Sequence, residues 1–277
     1  MNMSPPPTPS IDYSLLQGST TILSGILIFL TIRYLRLFVL KGPKGRLDAK
    51  LYPNREALSI NTLITSFFYG AHNSMQKIRD KIVYNTIEEI LDPSHTALVL
   101  WDVLRAFTKM IFNKEEFSRN LNSIVELARK SNIPIFFTSI QMLSKQFEAS
   151  ASIYTVGKLG FDRLFEQFTT EDMDFTIKPK QDEIVINKHT ASIFIDTGFE
   201  RMLRNAGIIT IVFTGIATEF GVESSARDAF NRGFYSVVVS DCVSSPYKDG
   251  HDRSLENMKN LITIINSKEI ENVWLKL

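Results

Sequence analysis

The sequence contains little of what disulfide frameworks, metal sites and nucleic-acid interfaces need. Its single cysteine, Cys242, excludes an internal disulfide and is typical of a protein in a reducing compartment. The four histidines are scattered, without the spacing of metal ligands. The net charge is only +1, which gives no electrostatic basis for binding nucleic acid. We therefore predict no metal, no cofactor and no nucleic-acid partner.

Charged residues are also absent from a long stretch near the N-terminus. Residues 1–12 are rich in proline and serine, which predicts a disordered start. The next twenty residues, 13–32, carry no charge and have the length of a bilayer-spanning helix. Basic residues without acidic neighbours follow as far as Arg46, which places the C-terminal body on the cytoplasmic side of a membrane. We interpret residues 13–40 as a single-pass transmembrane anchor; the alternative is a buried helix at the edge of the domain.

Residues 41–95 are predicted to form a helical connector between this anchor and the main domain. Apolar residues recur in it at helical spacing, which indicates one or two amphipathic helices that cover the main domain. The residues that carry this pattern are Leu63, Ile64, Phe67 and Phe68, followed by Ile82, Val83, Ile87 and Ile90.

The body of the chain, residues 96–277, alternates short apolar runs with amphipathic runs. This alternation predicts a parallel sheet covered by helices on both faces. The predicted strands are 97–102, 133–139, 182–188, 208–215 and 234–243. The predicted helices are 114–132, 199–207, 222–233 and 254–265.

Three of the predicted strands end in features that could form one site. In parallel sheets, binding and catalytic groups collect at the carboxyl ends of the strands. Asp102, Lys188 and the turn 215–221 all stand there, and each alone has a structural explanation, such as a helix cap or a solvated lysine. Together they predict a site in which the carboxylate moves a proton and the lysine keeps it ionised or stabilises an anion. The backbone amides of Phe220 and Gly221 are expected to line an anion pocket at the start of the helix.

The motifs "TALVLWD", "INKHTASIF", "TGIATEFGVESSARDA" and "GFYSVVVSDCVSS" resemble, in order and spacing, the isochorismatase-like (cysteine hydrolase) superfamily. The resemblance covers about residues 95–270 and implies a three-layer α/β/α sandwich around a mainly parallel sheet. It also implies hydrolysis of amides, imides or related bonds by an Asp–Lys–Cys triad. Asp102 and Lys188 match the first two triad members, but the nucleophilic cysteine falls at Gly221. A non-proline cis peptide is expected near Ile216–Ala217.

Other positions also depart from the patterns of the superfamily. Leu104 stands where a glutamine is usual, and the metal ligands of the nicotinamidase branch have no counterpart. Isochorismatases proper do have Asp, Lys and Gly, and they cleave a vinyl ether. Their substrate-binding glutamine aligns with Ile140, one residue before Gln141, and Glu219 replaces a histidine. Both differences argue against isochorismate as the substrate.

No other residue is expected to replace the missing thiol. Cys242 lies in a predicted strand, where a lone cysteine is usually a small buried hydrophobe. Ser224 and Ser225, one turn into the helix, are expected to pack or to form local hydrogen bonds. We predict Gln141, Ala217, Thr218 and Phe220 as substrate-binding residues. Gln141 is included although it lies one residue after the position that aligns with the glutamine of isochorismatases.

Two hypotheses about function follow. In the first, the protein is a hydrolase without a thiol step, which acts on a small anionic or carbonyl-containing substrate through Asp102 and Lys188. In the second, it is a non-catalytic ligand-binding or scaffolding member. A retained enzyme should keep the two charged groups in contact beside Gly221 in a closed pocket. A non-catalytic member should instead fill that space with an apolar side chain. The resemblance further implies a dimer or larger homo-oligomer.

Overall fold

The computed structural model describes residues 76–78, 81–144 and 146–276. The predicted disordered start (1–12), the predicted anchor (13–40) and the connector as far as residue 75 lie outside these residues. Within the described ranges, no helix is long and apolar enough to cross a membrane.

The described part of the chain begins with a short antiparallel hairpin. Its strands are β1 (Gln76–Ile78) and β2 (Lys81–Val83), and the first helix, α1, follows at Ile87–Ile90. The helical prediction is therefore wrong for Ile82 and Val83, which pair with the neighbouring strand. Thr86 begins α1, because its hydroxyl accepts a hydrogen bond from the amide of Glu89, whose carboxylate accepts one from the amide of Thr86.

The main sheet has six parallel strands, which confirms the predicted α/β class with a mainly parallel sheet. Its spatial order is β5-β4-β3-β6-β7-β8, so the order of the strands reverses between β3 and β6. The strands are β3 (Thr96–Trp101), β4 (Ile135–Ile140), β5 (Ile184–Lys188), β6 (Thr210–Ile216), β7 (Tyr235–Ser244) and β8 (Thr263–Ile265).

Helices connect these strands and cover both faces of the sheet. They are α2 (Arg105–Thr108), α3 (Lys114–Lys130), α4 (Ser150–Lys158), α5 (Phe161–Phe165), α6 (Phe199–Asn205), α7 (Glu223–Asn231), α8 (Lys248–Met258) and α9 (Ser267–Trp274). Alternate residues of β3 enter different cores. Leu98 and Leu100 pack with α3 and α9, whereas Ala97, Val99 and Trp101 pack with α6 and α7. This alternation gives a helix–sheet–helix layering.

The last predicted helix, 254–265, is wrong at its C-terminal end. Helix α8 ends at Met258, and Thr263, Ile264 and Ile265 form the edge strand β8. These three β-branched residues pair with Val237–Val239 of β7.

The segment before β3 packs against the body rather than standing apart from it. Leu91 is fully buried, and the indole of Trp274 donates a hydrogen bond of 3.0 Å to its carbonyl. The amide of Tyr84 donates to the hydroxyl of Tyr235 at 3.0 Å. The described residues before β3 are thus held against the body by both polar and apolar contacts.

Candidate active site

The two predicted charged residues meet at the carboxyl edge of the sheet. Asp102 follows β3, beside the point where the strand order reverses, and Lys188 ends β5, two strands away. The long side chain of Lys188 spans this distance, so that its Nζ lies 2.7 Å from Oδ2 of Asp102. Both residues are almost completely buried, with 6% and 1% of their surfaces exposed. They form a buried ion pair.

Thr138 of β4, the strand between them, fixes the carboxylate. Its hydroxyl donates a hydrogen bond of 2.6 Å to Oδ1 of Asp102 and accepts one of 2.9 Å from the Asp102 amide. The backbone at Asp102 has a φ of +45°, in the left-handed region that aspartate tolerates better than most residues. Both carboxylate oxygens thus accept a hydrogen bond, Oδ1 from Thr138 and Oδ2 from Lys188, which fixes the orientation of the carboxylate. Thr138 was not predicted as a site residue; the available signal was its position near the end of a central apolar strand.

The ammonium of Lys188 lies in a low-dielectric environment. Burial lowers the pKa of Lys188 below its ordinary value, while the charge and hydrogen bond of Asp102 act in the opposite direction. Nζ also lies 4.0 Å from the centre of the Trp101 ring, within the range of a cation–π interaction. The lysine is thus held between a carboxylate and an aromatic ring.

Trp101 also explains the glycine at position 221. A Cβ built on Gly221 would lie 1.9 Å from Cε2 and 2.0 Å from Nε1 of the indole. The ring therefore occupies the space in which any side chain at 221 would stand. Gly215, with a φ of +112°, allows a similarly close approach of the backbone, since its Cβ would lie 2.1 Å from the carbonyl oxygen of Trp101. The two glycines together accommodate the tryptophan.

The turn after β6 has the expected form. The Ile216–Ala217 peptide is cis, as predicted, and a short π-helix, Thr218–Val222, leads into α7. The hydroxyl of Thr218 lies 2.8 Å from Nδ1 of His251 on α8, so this hydroxyl is engaged away from the ion pair. The amide of Phe220 donates to the carbonyl of Ala217 at 3.3 Å and is not a free anion donor, contrary to the prediction.

A cavity of about 220 Å³ lies over the ion pair. Five of the predicted site residues line it: Asp102, Lys188, Ala217, Phe220 and Gly221. Two others, Gln141 and Thr218, are not among the lining residues. Gln141 is exposed, and its neighbour Ile140 lines the cavity instead. A shift of one residue along an extended strand end reverses the side-chain direction, which explains this difference.

A family model described as "Isochorismatase domain" matches residues 96–269, more than half of the chain. The chain belongs to the isochorismatase family. Among the curated members of the family, ureidoacrylate amidohydrolase RutB from Acinetobacter baylyi is 25% identical over 203 residues, covering 61% of this chain and 79% of that protein. Enterobactin synthase component B from Escherichia coli is 25% identical over 179 residues, covering 63% of this chain and 61% of that protein.

A solved structure shows the same fold. A cysteine hydrolase from Pseudomonas syringae pv. phaseolicola superposes with a TM-score of 0.60 at 16% identity. The match covers 72% of this chain and 99% of that one. The body of this chain thus shares the fold of that cysteine hydrolase.

No residue of the described cavity wall replaces the thiol. The wall contains no cysteine or serine, and its hydroxyl groups belong to Thr190 and Tyr247. Cys242 is fully buried in β7, where burial raises the pKa of its thiol far above the ordinary value. Ser225 accepts a hydrogen bond of 3.2 Å from the amide of Ile193 and is fully buried, which is a packing role. The oxygen Oε1 of Glu219 accepts from Ser245 at 2.6 Å, outside the cavity wall.

The site therefore combines features expected from both functional hypotheses. The ion pair is in direct contact and is reached from a cavity, as expected for a retained enzyme. The space beside Gly221 is filled by the apolar ring of Trp101, as expected for a member without thiol chemistry. Proton transfer by Asp102 and ligand binding remain available to this geometry, and attack from position 221 does not.

Proposed function

We propose that this chain is a hydrolase of the isochorismatase family that acts on a small carbonyl-containing substrate without a covalent thiol step. Asp102 is the general acid/base, and Lys188 holds it and the substrate. The observation that carries the proposal is the Asp102–Lys188 pair, buried and 2.7 Å apart, at the base of a cavity.

The hydrogen bonds of the pair support a sequence of proton transfers. Both oxygens of Asp102 accept a hydrogen bond, one from Thr138 and one from Lys188, so the carboxylate is held in place to take a proton from an attacking water. As the water oxygen bonds to the carbonyl carbon, the electron pair of the C=O bond moves to its oxygen. That oxygen can accept a hydrogen bond from Lys188, which has three N–H donors. The oxyanion then re-forms the C=O bond, the bond between the carbonyl carbon and the leaving group breaks, and the leaving group departs with the proton that Asp102 received.

Relatives in the family support an amide as the bond that is cleaved. The relative from Acinetobacter baylyi is named as an amidohydrolase of ureidoacrylate, and this name denotes the hydrolysis of an amide. The same carboxylate that activates water can return its proton to an amine leaving group, which an amide needs and an ester does not. Amides therefore come first among the candidate substrates, ahead of esters and vinyl ethers.

Trp101 favours a second candidate function, in which the chain binds a ligand and does not turn it over. The indole occupies the space that a side chain at position 221 would need and covers one side of the lysine. A buried ion pair is costly to keep without use, which argues for the enzyme. The two candidates differ in one measurable property, turnover by the purified protein.

The replacement Asp102→Asn in the full chain tests the proposal. Hydrolysis of a panel of amides, esters and vinyl ethers should fall by at least about 100-fold, the usual contribution of a general acid/base. Asp182→Asn is the matched control, since Asp182 is exposed and outside the cavity wall, and it should retain full activity. Full activity in Asp102→Asn would overturn the mechanism. Ligand binding by the wild-type protein, with no turnover of any substrate, would support the second candidate.

We also propose that the domain is tethered to a membrane through residues 13–40, with its body on the cytoplasmic side. The support is the uncharged run 13–32 and the basic residues that follow it.

A further inference from the structure

The cavity over the ion pair is walled mainly by aromatic rings. Six of its lining residues carry rings: Trp101, Phe107, Phe161, Phe165, Phe220 and Tyr247. They come from five separate parts of the chain, namely the end of β3, α2, α5, the π-helix and the loop before α8. The aliphatic side chains of Ile140, Leu164 and Ile216 fill much of the remainder.

Four of these rings form a continuous series. The centres of Phe107 and Phe165 are 6.3 Å apart, those of Phe165 and Phe161 are 6.2 Å apart, and those of Phe161 and Phe220 are 6.2 Å apart. Contacts at this spacing are typical of aromatic pairs. Phe220 is 39% exposed, and the other three are half-buried, so the series still presents apolar surface to solvent. A flat apolar ligand in the cavity would cover that surface.

The charges of the cavity wall cancel each other. Among the described residues, Asp102 and Lys188 are the only charged ones that line it, and they are paired at 2.7 Å. A carboxylate entering the cavity would meet no unpaired lysine or arginine among these lining residues, and it would lose its hydration. An uncharged ligand avoids this cost. One carbonyl oxygen can still accept a hydrogen bond from Lys188, whose Nζ uses one of its three N–H donors on Asp102.

The size of the cavity restricts the ligand further. A volume of about 220 Å³ is below the roughly 300–1,000 Å³ of sites for drug-sized molecules. The cavity therefore suits a ligand with a single ring and a short chain. The aromatic wall, the cancelled charge and the small volume all select the same class of molecule.

We propose that this cavity takes an uncharged molecule with an aromatic ring and one carbonyl group, such as an aryl-alkyl amide, and discriminates against carboxylates. The ring packs among Phe107, Phe161 and Phe165, and the carbonyl oxygen accepts from Lys188. This inference rests on the proposed function, because it names the ligand class of the same cavity. It narrows the expectation of a small anionic or carbonyl-containing substrate to an uncharged, carbonyl-containing one.

Three matched probes test the ring and the charge separately: 3-phenylpropanamide, 3-phenylpropanoate and propanamide. Binding to the full-length protein is measured by titration calorimetry. The sequence contains two tryptophans, Trp101 in the cavity wall and Trp274 away from it, so a change in tryptophan emission that persists in Trp274→Phe locates the ligand beside Trp101. The emission readout uses Trp274→Phe, whereas the calorimetry needs only the wild-type chain.

We expect 3-phenylpropanamide to bind at least about tenfold more tightly than either of the other probes, a difference of about 1.4 kcal/mol. Phe161→Ala should weaken its binding by up to about tenfold, the usual value of an aromatic contact. Phe230→Ala is the matched control, since Phe230 is exposed on α7 outside the cavity wall, and it should bind normally.

Equal or tighter binding of 3-phenylpropanoate or propanamide would overturn the inference, and so would an equal effect of the two phenylalanine replacements. The inference and the proposed function can fail independently. Tight binding of 3-phenylpropanamide with no loss of turnover in Asp102→Asn would remove the mechanism and leave the ligand class standing. Asp102-dependent hydrolysis of propanamide, without preference for the aromatic amide, would do the reverse.

Discussion

Gly221 and Trp101 depend on each other, because the indole stands where a side chain at 221 would be. A methyl group at 221 would lie within 2.0 Å of two atoms of the ring. We predict that Gly221→Ala lowers the free energy of unfolding by at least about 1–3 kcal/mol, the usual cost of overpacking a core. Urea unfolding measures it. Gly157→Ala in α4 is the control, since its added methyl group meets nothing closer than 4.0 Å.

A double-mutant cycle separates this clash from other effects of the replacement. In a Trp101→Val background the methyl group at 221 has room, so its cost should shrink to the level of the Gly157→Ala control. An equal cost of Gly221→Ala in both backgrounds would show that the backbone of the π-helix, and not the indole, requires the glycine.

The buried Lys188 gives a second prediction, in stability against pH. Its pKa is lowered in the folded state, so the unfolded chain holds more protons between that lowered pKa and the ordinary value of about 10.4. The free energy of unfolding should therefore rise with pH through that window. The double variant Asp102→Asn, Lys188→Met should lack this rise, as urea unfolding across the alkaline range would show. Lys259→Met, an exposed lysine on the C-cap of α8, should keep it.

At the scale of elements, a hydrogen bond between Thr218 and His251 joins the turn after β6 to α8. Burial lowers the pKa of His251, with Asp252 raising it and Lys248 lowering it. As the pH falls through the ordinary histidine pKa of about 6.5, His251 is protonated in the unfolded chain before it is protonated in the folded one. The free energy of unfolding therefore decreases as the pH approaches the lowered pKa. The loss is about 1.4 kcal/mol for each unit by which the pKa is lowered.

His251→Asn is the variant that tests the contribution of His251 to this pH dependence. Its amide can still pair with Thr218 but does not titrate, so its free energy of unfolding should change less than that of the wild type between about pH 7.5 and about pH 5. Equal pH dependence of the two proteins would assign the acid sensitivity to other groups.

The sequence predicts the central elements better than the peripheral ones. Strands β3, β6 and β7 are buried over most of their length, so the apolar runs at their centres predict buried strands. The edge strand β8 has three residues, which extend the helical spacing of α8 and receive their partners only from β7. Ile82 and Val83 likewise belong to a strand, β2, that is defined by its pairing with β1. Short segments that tertiary contacts decide are not visible in a local pattern.

The site was likewise predictable only in part. Asp102 and Lys188 end strands that a parallel sheet brings to one edge, so their meeting follows from topology. The role of Thr138 depends on which strands are neighbours in the sheet. The role of Trp101 depends on where its indole lies in the folded chain. Neither could be inferred from spacing along the chain. The substrate-binding prediction for Gln141 depended on a register of one residue, which the sequence alone does not determine.

At the scale of the whole molecule, the predicted anchor gives a prediction that is independent of the domain. The full chain should sediment with membranes and resist extraction by high salt, whereas a chain starting at Leu47 should stay in the supernatant. A chain in which Ile28 and Leu30 are both replaced by Asp is the matched control, since two charges in the apolar run should release it. Recovery of the full chain in the soluble fraction would contradict the anchor.

The fit of the indole against Gly221 also constrains the order in which substitutions can accumulate. A cysteine at 221 is disfavoured while the tryptophan is present, because its Cβ would overlap the ring unless the ring moves. Removing the tryptophan first leaves a large void, at a cost of about 3–5 kcal/mol for a change to alanine. Either single step is disfavoured, and only the paired change restores a packed interior. A laboratory search for thiol activity at position 221 therefore has to vary positions 101 and 221 together.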